Sequence, residues 1–176
     1  MIFFSSRIAP EKDATSLLQA FQRLIRQGRD LLLLYRGGGY KKLMAAAQAL
    51  GVEGRVIATD AVHPHRELPL DYQACDLLVQ ASRAEGLGFS VLEAMACGLP
   101  VVASAVGGLR ETVVDGQTGW TYPVGDSAGL ARSIEQVLAD PAEAAQRAAR
   151  AREMVITTYS RRVVLDALVR VTSGGE

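Results

Sequence analysis

The sequence is short of several features that would fix its class at once. Only two cysteines, Cys75 and Cys97, occur in 176 residues. Both sit in apolar stretches (QACDLLVQ and EAMACGLP), without the paired spacing of a disulfide framework or a zinc site, and read as small core residues in a reducing compartment. Neither sign of charge dominates: 19 basic residues balance 19 acidic ones and no segment concentrates either, which argues against a nucleic-acid tract or a polybasic membrane patch. No apolar run approaches the ~20 residues needed to span a bilayer, and the opening MIFFSSR has neither the charged n-region nor the cleavage site of a secretory leader. The expected setting is the cytoplasm. Linkers, low-complexity tracts and internal repeats are also missing. Residues 1–176 therefore read as one domain, long enough to bury roughly 70% of the surface its unfolded chain exposes.

What is present is alternation. MIFFSS reads as a strand, and DATSLLQAFQRLIRQG places Leu17, Leu18, Phe21, Leu24 and Ile25 on one helical stripe that stops at Gly28. DLLLLY is a continuous apolar run suited to a strand buried on both faces. YKKLMAAAQALG is a helix ended by Gly51, and GRVIATD is another short strand. A short helix in ELPLDYQA, a strand in CDLLVQA, a loop and helix in EGLGFSVLEAMAC and a strand in LPVVAS follow, then a short helix near LRETVV, a turn VDGQTG and a strand GWTYP. The last third is helical: SAGLARSIEQVLAD, a stretch broken from it by Pro141, and SRRVVLDALVRV. Strands alternating with helices, several of them apolar on both faces, imply an α/β domain, a Rossmann-like parallel sheet with helices on both faces. Such sheets bind ligands at the carboxyl ends of their strands. The loops that matter are therefore SSRIAPEK, RGGGY, TDAVHPH, SRAEGLGFS and SAVGG.

Arg7 and Lys12 lie between a strand end and a helix start, where two cations and unpaired N–H groups suit a diphosphate; solvated loop cations would look the same. Gly37, Gly38 and Gly39 permit a tight turn and close approach of a nucleotide, or simply a strand-to-helix turn. The GxGxxG fingerprint is incomplete, because its third glycine falls at Lys42, which disfavours a nicotinamide or flavin dinucleotide. His63 and His65 lack a carboxylate or cysteine at ligand spacing and read as solvated loop residues. The run EGLGFSVLEAMACGLPVVAS carries more. Ser90 and Glu93 fit a capping box, serine as N-cap and glutamate at N3. Gly86, Leu87, Gly88 and Phe89 lead flexible backbone into that helix start, with N–H donors for an anion or for sugar hydroxyls. Glu85 has no helix to cap, and carboxylates are good acceptors for vicinal hydroxyls.

With Arg7, Lys12, the glycine triplet and EGLGFSVLEAMACGLPVVAS in this order, the chain resembles the carboxyl-terminal, donor-binding half of a family-4 retaining glycosyltransferase of the GT-B fold. The likeness runs from SSRIAPEK through VVDGQTGW to the terminal helices. It implies that Arg7 and Lys12 bind the donor diphosphate and that Glu85 contacts donor-sugar hydroxyls beside the reacting carbon. By the same resemblance Glu93 accepts hydrogen bonds from the ribose, and backbone groups of Leu87, Gly88 and Phe89 hold sugar and phosphates. Ser90, Gly37 and Gly39 join these as candidate binding residues. The resemblance implies no metal and no cofactor, the nucleotide sugar being a substrate, with a UDP-sugar the favoured donor and GDP-mannose next. Asp60 replaces a usual glycine near the expected base, and Arg110 and Tyr40 replace usual prolines. GT-B enzymes have two such domains, and the amino-terminal acceptor half is absent here, so the chain is expected to need it in cis or as a partner subunit. Any membrane contact would come through that half. The alternative is a standalone nucleotide-binding or interaction module, or a non-catalytic subunit.

Overall fold

Six strands, β1 (Ile2–Ser5), β2 (Leu33–Arg36), β3 (Val56–Thr59), β4 (Leu77–Gln80), β5 (Val101–Ser104) and β6 (Trp120–Tyr122), form one sheet in a computed structural model that describes residues 1–59 and 68–165. Every strand pair is parallel and the order is β3-β2-β1-β4-β5-β6. Among the described residues, the helices α1 (Ala14–Arg26), α2 (Tyr40–Ala49), α3 (Leu68–Gln73), α4 (Phe89–Ala96), α5 (Leu109–Thr112), α6 (Ser127–Ala139) and α7 (Pro141–Thr158) connect and flank them. Among the described residues no helix is long and apolar enough to cross a membrane. Asp60, His63 and His65, and the end of SRRVVLDALVRV, lie outside the described residues.

The side-chain alternation of β1 shows how the layers form. Ile2 and Phe4 enter one core with Leu17, Phe21 and Leu24 of α1, Leu43 of α2 and Ile134 of α6; Phe3 enters the other with Tyr72 of α3, Val91 and Met95 of α4, and Val155 of α7. Strands β4 and β5 are buried along their whole length, as expected of strands sandwiched between helical layers. DLLLLY departs from that expectation. Leu31, Leu33 and Tyr35 are buried, but Leu32 is exposed and Leu34 only half-buried. Helices α1 and α2 cover one face of this end of the sheet, while the other is met by the six-residue α3 through an Arg36–Asp71 ion pair at 2.6 Å.

Between β1 and β4 the strand order reverses. The chain leaving β1 turns to α1 on one face, and the chain leaving β4 turns to α4 on the other, so a crevice opens between the two loops at the carboxyl ends of the strands.

Candidate functional site at the β1–β4 switch point

Among the described residues, two ion pairs join the two loops of the crevice, Lys12–Glu85 and Arg83–Asp13, and the first is the more buried. The Lys12 ammonium lies 2.5 Å from Glu85 Oε2, with the two side chains 17% and 15% exposed. Lys12 ends a 3-10 turn, Pro10–Lys12, and Asp13 follows at a φ of +42° as it turns the chain into α1. That conformation is unfavourable for a side-chain-bearing residue. The Asp13 carboxylate compensates by accepting from Ser16 Oγ at 2.8 Å and pairing with Arg83 at 3.2 Å, while the Arg83 backbone N–H donates to the Glu11 carbonyl at 2.7 Å. Arg7 has a different partner: its side chain is 78% exposed and its guanidinium meets Glu11 at 3.5 Å. Of the two cations expected to act together, only Lys12 is held in the crevice.

Glu85 caps no helix, as expected, but it is not short of protein partners. Its Oε2 also accepts from Gln80 Nε2 at 3.1 Å and from Ser82 Oγ at 3.3 Å. The loop that carries it is buttressed by the glycine pair after β5. A Cβ on Gly107 would lie 2.1 Å from the Glu85 carbonyl oxygen, and one on Gly108 1.9 Å from that of Gly86. Only glycine permits this approach.

The expected capping box is not formed. Helix α4 begins at Phe89, with Gly88 as its N-cap at a φ of +72° and no side-chain cap. Serine adopts that positive φ poorly, and Ser90 falls inside the first turn, where its Oγ donates to Gln80 Oε1 at 3.0 Å. Val91 and Leu92 return their N–H groups to the Gly88 carbonyl, at 2.9 and 3.1 Å. Those of Phe89 and Ser90 have no protein acceptor among the described residues, which leaves donors for an anion at the mouth of the crevice. Phe89, beside them, is 72% exposed.

Glu93 instead accepts from the Tyr72 hydroxyl at 2.7 Å. Burial, then hydrogen bonding to Glu93, pushes the Tyr72 phenol well above the ordinary tyrosine range, so it remains a proton donor to the carboxylate. Its ring is fixed edge-on to Phe3 at a centroid distance of 5.0 Å. Glu93 opens into a cleft of about 290 Å³ that Leu68, Pro69, Ala96 and Cys97 also line. Burial and the Glu93 charge raise the Cys97 thiol pKa as well.

The glycine loop after β2 is tied to the loop after β1. A Cβ on Gly37 would lie 1.9 Å from the Ser6 carbonyl oxygen. Gly38 accepts from the Ile8 N–H at 2.9 Å, and the Tyr35 hydroxyl bridges the Ser6 and Gly38 carbonyls at 2.8 and 2.9 Å. Gly39 is the N-cap of α2. The structure thus joins Lys12 to Glu85 and places Leu87, Gly88, Phe89, Ser90 and Glu93 on the loop and helix after β4. Gln80 and Tyr72 are not foreseen from the sequence, while Ser82, Gly107 and Gly108 lie in loops it marks, SRAEGLGFS and SAVGG, without being singled out as residues. For Gln80 the signal was there, a polar residue closing the apolar strand LLVQ.

The family model for glycosyl transferases group 1 matches residues 1–154. The GDP-mannose-dependent alpha-(1-6)-phosphatidylinositol monomannoside mannosyltransferase of Mycolicibacterium smegmatis is 34% identical over 178 residues, which take in 96% of this chain and 46% of that protein. Anabaena HepE, solved in complex with UDP and glucose, matches with a TM-score of 0.89 at 26% identity, over 98% of this chain and 48% of that one. Sucrose-phosphate synthase from Thermosynechococcus elongatus gives 0.90 at 29% identity, over 98% and 45%. The chain spans about half the length of these proteins or less. It belongs to the glycosyl transferases group 1 family, and its sheet, switch point and signature loop are those expected of the carboxyl-terminal half of a GT-B enzyme.

Proposed function

We propose that this chain is the donor-binding part of a retaining glycosyltransferase that moves a hexose-type sugar from a nucleoside diphosphate sugar to an acceptor held by a second domain. The observation that supports it best is the Lys12–Glu85 pair. It brings a cation suited to a diphosphate and a carboxylate suited to sugar hydroxyls from two strand ends into the crevice where such sheets bind ligands.

When the bond between the anomeric carbon and the diphosphate oxygen breaks, its electron pair leaves with the diphosphate, the acceptor's hydroxyl oxygen bonds to that carbon in its place, and the hydroxyl proton passes to the departing phosphate oxygen. Lys12 and the N–H groups opening α4 lower the energy of the growing negative charge on the diphosphate, and Arg7, whose side chain pairs with Glu11 in this structure, is assigned to the same diphosphate. Glu85 accepts from donor-sugar hydroxyls beside the reacting carbon, and Glu93 accepts from the ribose. Backbone groups of Leu87, Gly88, Phe89 and Ser90 hold sugar and phosphates, and the turn at Gly37 and Gly39 lets the nucleotide approach the chain. This scheme assigns charge stabilisation to protein groups rather than to a metal ion. A UDP-sugar is the first choice of donor, supported by the UDP and glucose in the HepE structure. GDP-mannose is the second, supported by the GDP-mannose dependence in the name of the mycobacterial relative.

Calorimetric titration with UDP, GDP, ADP and their sugars tests the reading. One diphosphate should bind in preference to the others, and Glu93→Ala should weaken it by ~1.5–3 kcal/mol, the worth of a hydrogen bond to a charged group. Loss of stability with affinity unchanged would refute the ribose role. Sugar transfer by the 176-residue chain alone should be slow or absent; vigorous transfer would contradict the need for a second domain.

A further inference from the structure

We propose that Gln80 is the positioning residue for Glu85: its buried amide holds Oε2 of the carboxylate, leaves Oε1 to the donor sugar, and links that carboxylate to the first turn of α4. The proposal rests on the reading of Glu85 as an acceptor for sugar hydroxyls.

Gln80 is the last residue of β4 and only 1% exposed, following three apolar residues in a fully buried strand. A primary amide in such a place is costly unless its hydrogen bonds are made, and an apolar residue would fill the space without that demand. Here each polar atom is used. Nε2 donates to Ser82 Oγ at 2.9 Å and to Glu85 Oε2 at 3.1 Å, and Oε1 accepts from Ser90 Oγ at 3.0 Å. All three partners belong to the loop and helix that form the candidate donor site. Ser82 is itself fixed to β5, its N–H donating to Ser104 Oγ at 3.0 Å and its carbonyl accepting from that hydroxyl at 2.6 Å.

The donors to Glu85 converge on one oxygen: Lys12 at 2.5 Å, Gln80 at 3.1 Å and Ser82 at 3.3 Å all reach Oε2. Lys12 cannot hold the carboxylate throughout binding. Its ammonium sits on a flexible stem, and an incoming diphosphate competes for it. Gln80 and Ser82 remain when Lys12 turns to the phosphates. Through Ser90 the same amide joins the sugar-facing carboxylate to the helix start that faces the diphosphate, on either side of the bond to be broken.

The test compares UDP with UDP-glucose, and GDP with GDP-mannose, by calorimetry on the 176-residue chain carrying Gln80→Leu. The wild type should bind at least one sugar nucleotide more tightly than its bare diphosphate. Gln80→Leu should cut that preference about fivefold, the worth of one net hydrogen bond, while changing diphosphate affinity less than about twofold. A purely structural role would weaken both ligands alike, and that result, or an unchanged preference, overturns the proposal. A wild type that shows no preference for either sugar nucleotide removes the parent reading of Glu85 and this proposal with it. NMR of the Gln80 side-chain amide supplies a measurement that does not depend on the variant folding. Its protons should exchange slowly with solvent, and should shift with UDP-glucose or GDP-mannose but not with the matching diphosphate; rapid exchange or identical responses would overturn the assignment.

Discussion

Glu85→Gln should tighten the bare diphosphate while loosening the sugar, opposite signs from one substitution. The Lys12 ammonium is committed to Glu85 Oε2 at 2.5 Å, and both side chains are largely withdrawn from water. A diphosphate must share that ammonium with the carboxylate or take it. Two unit charges ~4 Å apart at an effective dielectric of about 20 attract by ~4 kcal/mol before desolvation is counted. Net values for ion pairs are far smaller, so releasing Lys12 should favour the diphosphate by ~1 kcal/mol, about fivefold in affinity. The glutamine keeps the shape and one carbonyl acceptor but loses the charge. The added affinity conferred by the sugar should therefore fall by ~1.5–3 kcal/mol, about 10–100-fold. Calorimetry with UDP and UDP-glucose, or GDP and GDP-mannose, at low and high salt reads both effects, and the gain for the diphosphate should shrink as salt rises. Equal weakening of diphosphate and sugar nucleotide would refute the division of labour between Lys12 and Glu85.

Other perturbations probe the support of the site. Tyr72→Phe keeps the edge contact with Phe3 and removes the donor to Glu93; it should lower stability by ~1 kcal/mol and also weaken the preferred nucleotide several-fold. Thermal unfolding and titration together check this, and a stability loss alone would detach Glu93 from the nucleotide. Gly108→Ala places a methyl 1.9 Å from the Gly86 carbonyl oxygen, so urea unfolding should show a loss of ~1–3 kcal/mol, with donor affinity falling as the loop shifts. Alkali should destabilise the fold, because burial pushes the Tyr35 phenol from 10.0 up to about 12 and the Cys75 thiol from 9.0 up to about 11. Each folded group keeps its proton above the pH at which the unfolded chain releases it. Their contributions are thus full below pH ~9 and drain as pH climbs toward ~12. Urea midpoints at pH 8 and pH 11 measure the drop, and Tyr35→Phe should flatten its upper part.

Much of this architecture was legible because periodicity and punctuation agreed. The stripe of α1 and its stop at Gly28, with a φ of +85°, follow directly from residue spacing. So does the break between α6 and α7, where Asp140 caps α7 by accepting from the Glu143 N–H at 3.0 Å and Pro141 takes the first helical position. Two errors have one physical cause: local pattern yields to long-range packing. DLLLLY alternates in burial because the faces of the sheet near β2 are unequally covered, which no composition of that run reveals. Ser90 and Glu93 match a capping box in sequence, yet Gly88 takes the cap because its positive φ brings the chain against Leu109 and the Glu85 loop. The partners of the two glutamates were the least legible part. Gln80, five residues before Glu85, and Tyr72, 21 residues before Glu93, reach them only once β4 and α3 are in place.

The most direct measurement is a map of amide shifts on a labelled chain titrated with UDP, with GDP and with ADP. If the donor nucleotide binds where β1 and β4 diverge, one of the three should move the amides of Lys12, of Gly37 to Gly39 and of Gly86 to Glu93. Gly28, Gly51, Gly98 and Gly116, in the helix-to-strand loops at the opposite end of the sheet, should stay still. Shifts confined to those opposite loops, or none with UDP, GDP or ADP at millimolar concentration, would contradict the assignment of this crevice to a nucleotide-sugar donor.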